Sequence, residues 1–187
     1  MSSTFHLRWS PHETIKITIA VNQEQVDEGI KALVSNHHNR TRSIGLDVIT
    51  KRDPWTNTAK AMLLQLSDGI QCLIIRLHCL DADTLPESLY NFLSLPAFTF
   101  SRFGIEDTMS LLKKDYCLSC KNTLEVGRSV WYHPKKSVTD TLWSMLIPSS
   151  SCISDVWDAE IDLADEMVHV AASNAFGAFR LGEKFRY

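Results

Sequence analysis

No apolar run in this 187-residue chain approaches the roughly 20 residues that a membrane-spanning helix needs. The amino terminus, "MSSTFHLRWS", also lacks the apolar core of a signal peptide. A location in the cytosol or nucleus, away from any membrane, is therefore the expectation. Cysteine is scarce and odd in number: Cys72, Cys79, Cys117, Cys120 and Cys152 supply a single C-x-x-C, in "YCLSC". A structural zinc site wants four ligands, and neither a second such pair nor a His pair at suitable downstream spacing is present. Free thiols in a reducing compartment follow from that reading.

An excess of one charge is missing too. The 19 Lys and Arg against 22 Asp and Glu give a net charge of −3, which argues against a strongly basic nucleic-acid binder whose phosphate contacts come from clustered cations. The basic pairs that do occur are Arg40 with Arg42, Lys51 with Arg52, Lys113 with Lys114, and Lys135 with Lys136. They read as solvated surface charge, with a local basic groove left open. Repeats, low-complexity tracts and coiled-coil heptads are absent. With 44% hydrophobic and 22% charged residues, the composition is that of an ordinary globular protein, and the length suits a single domain over 1–187.

What is present alternates between strand and helix patterns. "ETIKITIAV" (13–21) has the period of a half-buried strand, and "NQEQVDEGIKALVS" follows as a helix with Asn22 as N-cap and Val26, Ile30, Leu33 and Val34 on its apolar stripe. His37 and His38 fall in a polar loop and read as solvated. The strand at 44–50 carries Asp47. Two apolar runs joined by Ser67-Asp68-Gly69 then predict a hairpin beside it. A proline-bounded helix over 85–96, a strand over 98–103, and a helix with Ile105, Met109, Leu112 and Tyr116 on one stripe come next. "VTDTLWSML" reads as a helix and Ser149–Ser151 as a loop. A long terminal helix is expected after a candidate N-cap at Asp162, with Met167, Ala171, Ala175 and Phe179 on one face. The pattern is α/β with a mixed sheet.

The strings "IGLDV", "AMLLQLSDGIQCLII", "LPESLYNFLSLPAFTFSRFGIEDTMSLLKKDYCL" and "SDVWDAEIDLADEMVHVAASNAFGAFRLGEKF" resemble the Werner syndrome-type 3′-to-5′ exonuclease domain. They are most similar to small stand-alone plant members akin to RISC-clearing exoribonucleases. The resemblance covers about residues 13–186 and implies a ribonuclease H-like, DnaQ-like mixed sheet flanked by helices. It also implies two-metal chemistry, in which Mg or Mn ions about 4 Å apart are held by three aspartates and a glutamate, with a tyrosine positioning water.

The chain departs from that pattern residue by residue. In the first family motif, Gly-Leu-Asp-x-Glu, Gly45, Leu46 and Asp47 match, but Ile49 stands at the glutamate, on the same strand face as Asp47. In the second, ungapped alignment puts Thr108 at the ligand position, while Asp107 is one residue early and Glu106 and Asp107 read as first-turn helix acids. In the third, "VAASNA" places Val170 at the tyrosine and Asn174 at the aspartate, with His169 turned away. One carboxylate of four is retained. A dimetal site is electrostatically implausible with so little negative charge, and no nucleophile and base are brought together elsewhere by any sequence signal.

Three readings follow. The first is a catalytically degenerate exonuclease-fold protein without a cofactor, acting by binding, in which Asp47 is a remnant hydrogen-bonded to Asn174 or Thr108 or exposed to solvent. The second is a divergent active exonuclease using Asp47, Asp107 and Asn174 with one Mg or Mn. The third is an assembly or regulatory partner without nucleic-acid affinity. Single-stranded nucleic acid, an active paralogue and a second copy of the chain are the expected partners.

Overall fold

The computed structural model describes residues 3–10, 12–53, 55–80, 85–127 and 165–185. They form strands β1 (Ser3–Ser10) and β2 (Glu13–Ala20), helix α1 (Gln23–Ser35), and strands β3 (Ser43–Arg52), β4 (Ala59–Ser67) and β5 (Gln71–Arg76). Helix α2 (Glu87–Ser94), strand β6 (Thr99–Arg102), helix α3 (Ile105–Tyr116), strand β7 (Thr123–Glu125) and helix α4 (Asp165–Lys184) follow. One seven-stranded sheet results, in the order β1-β2-β5-β4-β3-β6-β7. It is mixed: β3 pairs antiparallel with β4 and parallel with β6.

The elements form where their residues ask for them. The Asn22 side chain accepts from the Gln25 N–H at 3.0 Å and starts α1. In the β4–β5 hairpin, Asp68 Oδ1 accepts from the backbone N–H groups of Ile70 and Gln71, and Gly69 takes the positive φ of 90° that the tight turn needs. Alternation along β3 splits the core in two. Ile44, Leu46 and Val48 point toward α1, α2 and α3 and join Ile30, Leu89, Phe92 and Leu112. Gly45 and Ile49 point the other way, toward α4, whose Val168, Ala171, Ala175 and Phe176 pack with Leu63 and Ile74.

Gly45 explains itself on that face. A Cβ there would overlap the Ala175 carbonyl oxygen and the Phe179 amide, so the motif glycine lets α4 lie directly on β3. Ser101 of β6 does the same work with a hydroxyl, donating to the Ala178 carbonyl at 2.9 Å.

Several expectations need correction. β1 was not anticipated: its polar residues alternate with Phe5 and Leu7, which are half-buried against the α4 cluster at the sheet edge. The three-residue β7 was too short to register as a pattern. Val34, placed on the apolar stripe of α1, is exposed, because the stripe is completed by Val26, Ile30 and Leu33. The helix at "VTDTLWSML", the loop at Ser149–Ser151 and the cap at Asp162 lie outside the described residues.

Candidate functional site

β6 stops pairing with β3 at Gly45↔Ser101, while β3 runs on to Arg52. Asp47 is thus the next residue on the α4 side beyond the point where its neighbouring strand ends. A crevice outside the carboxyl end of a strand is where open α/β sheets place ligands. The last residue of β6 is Arg102, and its side chain turns into that crevice.

The guanidinium meets Asp47 with two nitrogens on one oxygen: Nε donates to Oδ1 at 2.9 Å and Nη2 lies 2.9 Å from the same atom. The side chains are 19% and 15% exposed, so water screens the pair only in part. The third nitrogen, Nη1, donates to the Phe103 carbonyl at 3.0 Å, the Gly104 carbonyl at 3.3 Å, and the Thr108 hydroxyl. Thr108 is buried and also donates to the Gly104 carbonyl at 3.1 Å. One cation therefore ties the strand position of the first motif to the helix position of the second.

This corrects the expected partner of Asp47. Asn174 and Thr108 were the candidates, and the carboxylate is instead taken by Arg102, with Thr108 held through the same guanidinium. The sequence offered a usable signal, an arginine ending the strand just before Gly-Ile-Glu, which counting acids alone overlooks. Asn174 on α4 keeps its Oδ1 buried and without a partner among the described residues. Gln65, opposite Asp47 in the β3–β4 ladder, was also missed. It is fully buried, and both its Oε1 and Nε2 lack a partner among the described residues.

Asp107 is exposed on the first turn of α3, as is Glu106. Glu125 of β7 caps that helix, accepting from the N–H groups of Gly104, Ile105 and Gly127 at 3.1, 2.9 and 2.7 Å. Ile49 is half-buried against the α4 cluster, and Val170 and His169 are half-buried. His37 and His38 are exposed. Cys72 is buried on the α4 side, where desolvation and then the charges of Asp68 and Asp47 push its thiol pKa up, which removes it as a nucleophile. Further along, α3 clamps the start of β4: Asp115 Oδ2 accepts from the Ala61 N–H at 2.9 Å, and the Tyr116 hydroxyl donates to the Ala61 carbonyl at 3.0 Å.

The donor set does not fit a dimetal centre. It offers one carboxylate already neutralised by a guanidinium, the Asn174 and Gln65 amide oxygens, a hydroxyl bonded elsewhere, and two hydrocarbons. Two adjacent dications need several anionic oxygens.

The sheet order, the helix across the Asp47 side and the three helices behind it define the ribonuclease H-like exonuclease fold, that of the 3′-5′ exonuclease domains. No family model matches the chain, and no curated protein matches it in sequence. Among solved structures, the catalytic core of RRP6 from Trypanosoma brucei aligns with a TM-score of 0.71 at 15% identity, over 97% of this chain and 48% of that one. RNase D from Escherichia coli, an exoribonuclease involved in structured RNA processing, aligns at 0.67 and 13%, over 90% and 44%. The EXD2 exonuclease domain soaked in Mn aligns at 0.51 and 23%, over 88% and 86%. The chain spans about half the length of the RRP6 and RNase D structures, 48% and 44%, and most of the EXD2 domain. At such identities the likeness establishes the fold.

Proposed function

We propose that this chain is a catalytically degenerate 3′-to-5′ exonuclease-fold protein that acts by binding, with single-stranded nucleic acid as its ligand and without a metal cofactor. The observation that carries the reading is the Arg102 guanidinium on Asp47. A divalent ion at Asp47 would have to displace a cation already held by five contacts and then sit beside it, with Ile49 and Thr108 where carboxylates would be needed. Like charges at such range repel strongly in a partly desolvated crevice. The chain's own residues here orient backbone and neutralise charge, and none is placed to activate water.

The motif strings support a small stand-alone plant-type relative, and with it a homo-oligomer or an active paralogue as protein partner, in the cytosol or nucleus. The reading is tested with 3′-labelled single-stranded RNA and DNA incubated with Mg or Mn. The expected outcome is no shortening beyond the protein-free control. Shortening that disappears in Asp47→Ala would overturn it in favour of a divergent enzyme.

A further inference from the structure

The most exposed large apolar side chain among the described residues is Trp55, 93% exposed, in the loop between β3 and β4. Nothing in the core explains a tryptophan held in water at a hairpin tip. Its loop is nevertheless built. Asp53 Oδ1 accepts from the backbone N–H of Trp55 at 2.7 Å and of Thr56 at 3.0 Å, and these bonds hold the Asp53 carboxyl below the usual carboxylate range. Asp53 N–H donates to the Thr58 carbonyl and Asn57 N–H to the Asp53 carbonyl, both at 2.9 Å. Arg52 Nη1 donates to Asn57 Oδ1 at 3.1 Å, and Asn57 adopts a positive φ of 55°.

The strands that carry this loop place cations together. Lys51 stands directly opposite Lys60 in the ladder, with Arg52 next in line. Arg52 and Lys60 are exposed at this edge, and Lys51 is half-buried. Lys114, further along, is paired with Asp115 at 3.9 Å, and that carboxylate also accepts from Ala61, the residue after Lys60.

We propose that Trp55 is a stacking platform for a base of single-stranded nucleic acid, with Lys51, Arg52 and Lys60 contacting the adjoining phosphates. A solvent-facing indole on a hydrogen-bonded loop, at the end of strands that carry cations, matches what a base and its phosphate present together, and stacking of this kind tolerates any base. Lys51 lies about 13 Å along β3 from Asp47, so a strand crossing the crevice would reach the loop within a few nucleotides. This inference rests on the nucleic-acid-binding reading above and names where on the chain that binding occurs.

The test is fluorescence anisotropy with labelled 12-nucleotide oligo-U and oligo-dT, on the full chain, Trp55→Ala, and Lys51→Ala/Lys60→Ala. Thermal melts are run alongside; with Trp55 exposed, its variant is expected to melt with the wild type. The wild type should bind, Trp55→Ala should bind about five- to a hundredfold more weakly, and the double lysine variant should lower the slope of log K against log salt by about 1.4. Wild-type binding that Trp55→Ala leaves unchanged would overturn the platform and leave the binding reading standing. No binding by the wild type would overturn both. If, in addition, Trp55→Ala then altered self-association in sedimentation, the surface would belong to a protein contact instead.

Discussion

Arg102 places two guanidinium nitrogens on the same oxygen of Asp47, each at 2.9 Å, and its third nitrogen reaches the start of α3. The pair is therefore a joint between β3, β6 and α3. Removing either side strands the other in a crevice that is mostly closed to water.

Arg102→Ala is expected to cost roughly 2–3 kcal/mol, below the full cost of breaking a buried pair because the side chains keep some exposure. Asp47→Asn, which keeps an acceptor, should cost less. A double-mutant cycle in urea should return a coupling of about 1–2 kcal/mol; additive losses would show that the two side chains do not act as a unit.

Restoring the acids should restore metal affinity. With Arg102→Ala, Ile49→Glu, Thr108→Asp and Asn174→Asp combined, four carboxylates would converge and repel one another until a dication arrives. Calorimetry should detect Mn binding to this variant and none to the wild type, and Mn should raise the melting temperature of the variant alone. A wild type that binds Mn tightly would count against the proposed function.

Gln65 keeps both amide atoms buried without a partner among the described residues. Such groups cost about 1–3 kcal/mol to desolvate, and an apolar side chain of similar shape avoids that cost. Gln65→Met should therefore leave the denaturation midpoint unchanged or raise it. A clear fall would mean that the amide is bonded in solution.

Burial, and then the charge of Asp115, push the Tyr116 hydroxyl up to about 12 from its ordinary value of 10.0. The proton is held more tightly in the folded chain than in the unfolded one. The corresponding stability is intact below about pH 10 and is lost as pH rises through about 12. Tyr116→Phe should show a shallower alkaline loss in a urea series from pH 9 to 12, alongside a loss of about 1 kcal/mol at neutral pH from the unpaired Ala61 carbonyl.

Period and turn chemistry made β2 through α3 legible, because each of those segments buries one side and ends in a residue suited to stopping it, such as Asn22 or Gly69. β1 was not, since an edge strand whose Phe5 and Leu7 are only partly buried needs few apolar residues. The expectations for Ile49, Thr108, Val170 and Asn174 came from position within the motif strings alone. For Arg102 the signal was only an arginine near the end of a strand: its reach to Asp47 depends on the β3–β6 pairing stopping at Gly45↔Ser101, a relation between strands that no single segment encodes. Gln65 was hidden for the same reason, its partner position being set by pairing across β3 and β4.

Gly45 closes so tightly against Ala175 and Phe179 that any side chain there would push α4 off the sheet. The glycine of "GLD" is thus a demand of assembly rather than of phosphate chemistry. A protein can surrender every reaction such a crevice once hosted and still be obliged to keep that letter. That glycine's presence in a sequence therefore records how closely a helix lies on a strand, whatever chemistry the crevice beside it carries out.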